Sequence, residues 1–213
     1  MSSKQVFREG LKAVLSKIPA IELDKQSVAI TNAVLPLVQQ YQSVACYMNM
    51  DNSEVKTHDI LRRLFLANKT VYLPRCTNTK VTGQISLRPN KKNHPHLTFH
   101  KMQSWEQVQN LTPQGKYKLK EPPEETPMPM PPQLDVILVP GVGFSLNGGK
   151  RIGHGAGFYD DFFQRYQLHH NGEKPLLIGI ALKEQLIDDI PTADHDYSMD
   201  CIVVGDGSVH WFK

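Results

Sequence analysis

A glycine-rich segment between an apolar run and a helical pattern constrains the fold of this chain most. Seven of the 14 glycines fall between Val139 and Phe163, in two clusters. The apolar run Val136–Val139 before them predicts a buried strand, and the aromatic spacing after them predicts a helix over Asp160–Tyr166. Strand, glycine loop and helix in this order are typical of α/β proteins. Because glycine lets the backbone approach a ligand closely, and because loop and helix N–H groups attract anions, the segment suggests a phosphate site.

Charged side chains flank the second glycine cluster, at positions 153–157. Lys150 and Arg151 precede it, and Asp160 and Asp161 follow. Cations suit phosphate oxygens, and a carboxylate can hold a metal ion carried on the phosphates. The spacing matches neither a P-loop nor the G-x-G-x-x-G of dinucleotide-binding folds. A surface loop with turn glycines is the alternative, but the flanking charges and the preceding strand favour a nucleotide or phosphate site.

Helix and strand patterns alternate along most of the chain. This alternation predicts an α/β fold with three layers, in which a mostly parallel sheet has helices on both faces. Further helices are predicted from Ser2 or Ser3 to about Lys17, and over Lys25–Tyr41 and Glu54–Asn68. Strands are predicted over Val44–Met50, Thr70–Pro74, Leu134–Val139, Leu176–Ala181 and Cys201–Val204.

Residues 76–132 interrupt the alternation with a polar, Pro-rich excursion. Half of residues 121–132 are proline, which predicts an extended linker rather than a helix. Short strands around Ile85–Leu87 and Leu97–Met102 are predicted to form a hairpin-like flap. We therefore expect one domain over residues 1–213 with this excursion inserted.

Three histidines lie in the excursion, at His94, His96 and His100. A zinc site would need further ligands, and no cysteine or acidic residue flanks the three at typical ligand spacing. We therefore interpret them as loop histidines near a proline.

The composition is that of an ordinary globular protein. Of the 213 residues, 40% are hydrophobic and 21% are charged, and no apolar run approaches the length of a membrane span. The N-terminus lacks the apolar core of a secretory signal, and three widely spaced cysteines indicate free thiols in a reducing compartment. We expect a cytoplasmic monomer without a membrane partner. A mitochondrial location stays open, because the first residues are basic and somewhat amphipathic.

The positive charges are scattered, apart from one stripe on the first helix. The net charge is +3, and scattered charge speaks against a nucleic-acid partner and fits a small anionic ligand. Lys4, Arg8 and Lys12 recur every four residues, which places them on one helical face. Such a stripe is usually a solvated face.

The segment Arg151–Asp160, R-I-G-H-G-A-G-F-Y-D, resembles the signature of the 5-formyltetrahydrofolate cyclo-ligase (methenyltetrahydrofolate synthetase) family in its eukaryotic type. Ser145 departs from the family, which usually has Asp there, and His154 and Ala156 occupy variable positions. Further similarities follow in family order along nearly the whole chain, at Lys4 and Arg8, Glu54, Leu73–Arg75, Pro140–Phe144, Lys183–Gln185 and His195–Asp196.

The resemblance implies an enzyme that converts 5-formyltetrahydrofolate to 5,10-methenyltetrahydrofolate and releases ADP and phosphate. ATP would phosphorylate the formyl oxygen, which makes it a good leaving group, and N10 would then attack the formyl carbon. By the same resemblance Lys4 and Arg151 are catalytic, and Asp160 and Asp196 hold Mg²⁺. The implied ATP contacts are Lys4, Arg8, Lys150, Arg151, Ile152, Gly153, His154, Gly155, Ala156, Gly157, Phe158 and Tyr159. The implied folate contacts are Met48, Glu54, His154, Gly155, Ala156, Gly157 and Phe158.

Other function classes stay open at this point. A different enzyme on a related α/β scaffold, such as a sugar-phosphate isomerase-like or CoA-transferase-like protein, would lack ATP turnover. A non-catalytic folate- or nucleotide-binding module would not need metal carboxylates, so the intact set of Lys, Arg and Asp argues against it. An RNA-binding domain is the weakest alternative, because the charge is scattered.

Overall fold

The computed structural model describes residues 3–50, 53–85, 87, 94–114, 118–124 and 129–212. The helices are α1 (Ser3–Leu15), α2 (Ala20–Val38), α3 (His58–Leu66), α4 (Thr79–Thr82), α5 (Trp105–Gln109) and α6 (Phe158–His169), and a 3₁₀ turn covers Lys183–Gln185. The strands are β1 (Ser43–Ala45), β2 (Thr70–Asn78), β3 (Pro95–Met102), β4 (Pro113–Gln114), β5 (Leu119–Lys120), β6 (Val136–Val139), β7 (Gly143–Ser145), β8 (Lys150–Ile152), β9 (Leu176–Ala181), β10 (Cys201–Val204) and β11 (Val209–Trp211).

A seven-stranded sheet forms the centre of the fold, in the order β11-β10-β9-β6-β1-β2-β3. The five inner strands run parallel, and β11 and β3 pair antiparallel at the two edges. Parallel strands are covered on both faces and therefore consist of continuous apolar runs. The predicted α/β class with a mostly parallel sheet is confirmed.

Helices cover both faces of the sheet, as the alternation of side chains along β1 shows. Val44 belongs to the core that contains Ile30 of α2 and Leu61 of α3. Its neighbour Ala45 belongs to the opposite core, which contains Phe162 of α6. Successive strand residues point to opposite faces, so α2 and α3 lie on one side of the sheet and α6 on the other.

The first helix packs at the carboxyl end of the sheet, and its last residue, Leu15, joins the core on the α2 side. Strands β7 and β8 form a separate antiparallel hairpin directly after β6. Leu11 of α1 packs against Val142 and Ile152 in and beside this hairpin, and against Ile190. The position of α1 therefore depends on the segment that follows a central strand.

Two predicted elements around the first strand are shorter than expected. Strand β1 ends at Ala45 and not at Met50, and α3 begins at His58 and not at Glu54. The Glu54 carboxylate accepts a hydrogen bond from the Met50 N–H at 2.8 Å. This contact holds Glu54 in a loop ahead of the helix.

The polar excursion contributes a strand to the main sheet. Strand β3 pairs along its whole length with β2, which continues to Asn78. Its partner is therefore β2 and not the predicted strand around Ile85–Leu87. Ile85 and Leu87 belong to no strand, and Ser86 lies outside the described residues.

The described helices include none that is long and apolar enough to cross a membrane.

Candidate active site

The sheet has a topological switch point between its neighbouring strands β1 and β6. From β1 the chain continues to β2 on one side, and from β6 it continues to β9 and β10 on the other. Ligands of open α/β sheets bind in the crevice outside the carboxyl ends of such strands. The segment that follows β1 leads to Glu54, and the segment that follows β6 leads to His154. The two meet, since the His154 Nε2 lies 3.5 Å from the Glu54 Oε1.

Glu54 is a buried carboxylate in this crevice, with 7% of its surface exposed. One oxygen accepts from the Met50 N–H, and the other faces His154, whose side chain is half exposed. Met48 lies nearby in the chain and packs partly buried against the core on the α2 side. A buried carboxylate oxygen beside an open loop can accept hydrogen bonds from a ligand.

A cleft of about 680 Å³ opens between α1, Glu54 and the loop at His154, and we call it the α1 cleft. Its volume is that of a cofactor- or drug-sized ligand site. Its apolar lining includes Leu15, Ile18 and Val142. Lys12, Glu54 and His154 are its charged or titratable lining residues. Apolar walls with a few polar groups are the usual composition of a site for a flat organic ligand.

The two glycine clusters have different structural roles. The first forms the β7–β8 hairpin, so Lys150, Arg151 and Ile152 lie in β8 and not in a loop. The second, residues 153–157, connects β8 to α6, and we call it the glycine loop. Gly155 has a φ of +101° and Gly157 a φ of +67°, a region that other residues rarely adopt. Residues 154–157 are exposed, and Gly157 precedes the N-terminus of α6.

Two cations of α1 contact other segments of the site, and one of them, Arg8, lies against the glycine loop. The Arg8 Nε donates to the Gly153 carbonyl at 2.7 Å, and a Cβ on Gly155 would lie 3.4 Å from the Arg8 guanidinium carbon. Lys4 forms an ion pair with Asp196. The stripe therefore contacts the glycine loop through Arg8 and Asp196 through Lys4, rather than bulk solvent alone.

Arg151 and Asp160 form a second ion pair beneath the loop, at 2.8 Å. Arg151 is buried, also donates to the Pro140 carbonyl at 3.2 Å, and lies over the Tyr159 ring at 5.6 Å. The other Asp160 oxygen accepts from the Tyr197 N–H at 3.0 Å. Because Tyr197 follows Asp196 directly, the two predicted metal ligands Asp160 and Asp196 lie in one neighbourhood.

Hydrogen bonding keeps Asp196 ionised. Burial acts to raise its pKa, but hydrogen bonds from Lys4 and from the Ala193 N–H at 2.7 Å outweigh burial and hold the pKa below its usual 3.8. A smaller cavity of about 330 Å³ is lined by residues 194–197 and Gln164. The site thus has a polar end at Asp196 and a more apolar end in the α1 cleft.

A family model described as the 5-formyltetrahydrofolate cyclo-ligase family matches residues 1–205. The chain belongs to this family. A Saccharomyces cerevisiae protein named 5-formyltetrahydrofolate cyclo-ligase is 49% identical over 218 residues, which cover 100% of both chains. A Mus musculus protein of the same name is 28% identical over 96% of this chain and 95% of the mouse chain.

A solved structure of another protein has the same fold. The NMR structure of Aquifex aeolicus 5,10-methenyltetrahydrofolate synthetase matches with a TM-score of 0.73 at 21% identity. The match covers 100% of this chain and 94% of the other. The α/β architecture described above is therefore shared with a cyclo-ligase at low sequence identity.

Not all residues that the cyclo-ligase resemblance implies converge. Lys150 neighbours Arg151 on β8 and so points to the opposite face, where its ammonium pairs with Asp189 at 2.6 Å. The Ile152 side chain is buried against Leu11, and its carbonyl accepts a hydrogen bond from the Val142 N–H at 2.7 Å, so neither is directed to a ligand. The members of the predicted set that lie around the glycine loop and its residue His154 are Lys4, Arg8, Arg151, Glu54, Asp160 and Asp196.

The aromatic residues at the start of α6 pack inside the protein. Tyr159 lies edge-on to Phe99, with 6.2 Å between ring centroids, and Phe158 packs partly buried against the same core. Burial raises the pKa of Tyr159 well above 10. With Arg151 over its ring, Tyr159 positions that guanidinium.

Sequence reasoning missed two residues of the site. Lys12 lines the α1 cleft, and the sequence feature that could have indicated this is its spacing of four residues from Arg8. Gln185 also lines the cleft and donates to the Gly141 carbonyl at 2.6 Å. It belongs to the matched segment Lys183–Gln185, but no role was assigned to it. This hydrogen bond fixes the start of the segment that follows β6.

The histidines of the excursion lie in and beside a strand, which corrects their interpretation as loop histidines. His96 is buried on β3, with its Nε2 3.0 Å from the Thr82 Oγ1. Burial lowers its pKa to about 4, so the ring is neutral. His94 is buried just before β3, and His100 lies within it. No group of three or more metal-binding side chains is found in the part of the chain that the structure describes.

Proposed function

We propose that this protein converts 5-formyltetrahydrofolate to 5,10-methenyltetrahydrofolate, with hydrolysis of ATP to ADP and phosphate and a requirement for Mg²⁺. Membership in the cyclo-ligase family supports the reaction. The observation that supports the proposal most strongly is the contact of Glu54 with His154. This contact joins an apolar cleft to an exposed glycine loop at the switch point of the sheet. A folate and a triphosphate could therefore meet at residues 153–157.

The polar end of the site suits the triphosphate. Lys4, Arg8 and Arg151 surround exposed loop N–H groups and the N-terminus of α6, which together attract phosphate oxygens. Lys4 and Arg151 are paired with Asp196 and Asp160, respectively. Phosphate oxygens would replace these carboxylates as partners of the cations. The remaining ATP contacts would come from loop backbone between Ile152 and Tyr159, and Lys150 would need to leave Asp189 to contribute.

The same exchange leaves two carboxylates available for Mg²⁺. In phosphoryl-transfer sites Mg²⁺ is usually held by one or two carboxylates together with substrate phosphates and water. Asp160 and Asp196 fit this donor set, since both lie at the polar end and hard oxygen ligands are what the ion prefers. When bound, Mg²⁺ would offset the negative charge of the phosphates.

The α1 cleft suits the folate. Its apolar walls match the pterin and aminobenzoyl rings, and Glu54 can accept hydrogen bonds from pterin N–H groups. Met48, His154 and the glycine loop from Gly155 to Phe158 would lie along the same substrate. The formyl group would then lie beside the loop that binds the γ-phosphate.

The residues promote the reaction mainly by positioning and charge neutralisation. The formyl oxygen attacks the γ-phosphorus, the bond from phosphorus to the β-γ bridging oxygen breaks, and ADP leaves. N10 attacks the activated formyl carbon, which closes the ring, and N10 loses its proton. The carbon–oxygen bond then breaks, which releases phosphate and leaves the carbon–nitrogen double bond of the methenyl group. Lys4 and Arg151 would stabilise the charge that develops on the transferring phosphoryl group.

The test is the absorbance of the methenyl product when the protein is mixed with Mg-ATP and 5-formyltetrahydrofolate. We expect product only with both substrates, and one ADP and one phosphate released per methenyl group. Product formation without ATP, or ATP hydrolysis without ring closure, would contradict the proposal. Omission of Mg²⁺ and addition of EDTA test the metal requirement separately.

A further inference from the structure

Lys12 differs from the other cations around the site because its ammonium is unpaired. Lys4, Lys150 and Arg151 form ion pairs with Asp196, Asp189 and Asp160, respectively. Within the described part of the chain, Lys12 has neither an ion pair nor a side-chain hydrogen bond. Its side chain nevertheless lines the α1 cleft. A lysine that faces a ligand cleft without a protein partner can bind an anionic group of the ligand.

The position of Lys12 along α1 separates it from the polar end of the site. An α-helix rises about 1.5 Å per residue, so Lys12 lies about 12 Å along the axis from Lys4 and about 6 Å from Arg8. Lys4 reaches Asp196, Arg8 reaches the glycine loop, and Lys12 reaches the cleft. An anion bound at Lys12 would therefore belong to the molecule in the cleft and not to the metal-binding end.

The cleft offers the opposite charge at Glu54. Glu54 and Lys12 line the same cleft, but the ion-pair contact of Glu54 is with His154 at 3.5 Å. Each can therefore complement a different part of one ligand. On the proposed function that ligand is a folate, which carries N–H donors on its pterin ring and two carboxylates on its glutamate tail. Glu54 suits the donors, and Lys12 suits the carboxylates.

We propose that Lys12 binds the glutamate tail of the folate and makes the protein specific for glutamylated substrates. This rests on the proposed function. Lys12 is exposed, so its contribution is screened by salt. The preference for a glutamylated folate over a tail-less one should consequently fall as ionic strength rises.

The experiment compares 5-formyltetrahydrofolate with 5-formyltetrahydropteroate, which lacks the glutamate. We measure kcat/KM for both in the wild type, Lys12→Gln and Lys12→Arg. The matched control is Lys17→Gln, which removes the same charge from an exposed lysine that does not line the cleft. We expect Lys12→Gln to reduce the preference for the glutamylated substrate about tenfold, through KM, because a charge-assisted hydrogen bond is lost. Lys12→Arg should restore most of it, and Lys17→Gln should keep it.

Three outcomes would overturn the proposal. They are an equal loss for both substrates in Lys12→Gln, an equal change of preference in Lys17→Gln, and a change confined to the KM for ATP. Calorimetric titration of 5-formyltetrahydrofolate without ATP repeats the comparison as binding. If the wild type forms no methenyl product from either folate, the proposed reaction fails. If it forms product and Lys12→Gln leaves the preference intact, only the role of Lys12 fails.

Discussion

The two ends of the site differ in how the protein holds their charges. At the polar end Lys4 and Arg151 are already neutralised by Asp196 and Asp160. In the α1 cleft Lys12 has no ion-pair partner among the described residues, and Glu54 is held by the Met50 N–H.

Because of this difference, we expect the free-energy cost of rearranging the protein to be smaller for a ligand in the cleft than for a triphosphate at the polar end. A ligand in the cleft finds the Glu54 carboxylate held by the Met50 N–H and the Lys12 ammonium free of any ion pair among the described residues, so little has to be rearranged for it to bind. A triphosphate must first break ion pairs, and those pairs leave behind carboxylates that need a new cation. The proposed nucleotide and metal sites are therefore coupled through shared residues, whereas the cleft is independent of that exchange.

The largest effect is expected when the α1 cations at the polar end are removed. The double variant Lys4→Ala with Arg8→Ala should lower kcat/KM for ATP by about 10³-fold, since two charge-assisted hydrogen bonds are lost at about 1.5–3 kcal/mol each. Steady-state assays with ATP varied measure this. Deleting the whole N-terminus would be a poorer test, because Leu11 packs in the core.

The exposed Lys17→Ala variant is the control for the α1 cations. It should retain the wild-type kcat/KM for ATP. If the double variant also weakened folate binding to the same extent, the two ends of the site would not be independent.

The second largest effect is expected at the cleft end. Glu54→Gln should weaken 5-formyltetrahydrofolate binding by about one to two orders of magnitude, because a buried charged acceptor is lost. ATP affinity should change little. Calorimetry with each ligand alone measures both affinities, and Glu9→Gln on the exposed side of α1 is a control. Equal losses for the two ligands would mean that Glu54 maintains the fold or the metal site.

The link between cation and metal sites is tested at Asp160. Asp160→Asn should reduce turnover by about tenfold and raise the Mg²⁺ concentration needed for half-maximal rate. The neighbouring Asp161→Asn is the matched control. Asp161 pairs with the buried Arg165, with 2.8 Å between the Arg165 Nε and the Asp161 Oδ2, and not with a cation of the glycine loop region. It should lower the melting temperature with an unchanged Mg²⁺ requirement. The same Mg²⁺ dependence in Asp160→Asn and the wild type would exclude Asp160 as a ligand.

The parallel centre of the fold could be predicted from the sequence, and its edges could not. The bounds of β9 and β10 match their apolar runs, because strands buried on both faces show sharp hydrophobic limits. The three-residue strands β7 and β8 have too few residues for any periodicity. Strand β3 was located, but its pairing with β2 depends on contacts between distant segments that no local pattern records.

The same distinction holds for the site. Glycine spacing and flanking charges predicted the glycine loop, since loop chemistry is local in sequence. The ion pairs of Arg151 with Asp160 and of Lys4 with Asp196 were not predicted, because each cation was assigned directly to phosphate. Lys12 was seen as part of a stripe. Its separate position in the cleft follows from the packing of Leu11 on the β7–β8 hairpin, which only the tertiary structure provides.

The smallest expected effect concerns the stability that the polar end contributes. Lys4→Gln should lower the free energy of unfolding at pH 7 by less than about 1 kcal/mol, because the Lys4–Asp196 pair is partly exposed and screened by solvent.

The pKa of Asp196 is lowered in the folded state, so the stabilisation that Asp196 contributes is fully present above the unfolded pKa of about 3.8 and is lost as pH falls through the folded pKa. The difference in the free energy of unfolding between the two proteins, measured by urea unfolding, should therefore be constant from pH 7 down to about 3.8 and narrow at lower pH. In a protein that carries Asp196→Asn, which removes the titrating group, adding Lys4→Gln should change the free energy of unfolding by an amount that does not depend on pH. A loss of several kcal/mol at pH 7 would show that the pair is a major stabiliser of the fold, and a difference that does not narrow in acid would show that Lys4 acts through a group other than Asp196. The contrast between an exchangeable polar end and a cleft with its charges already in place would then have to be abandoned.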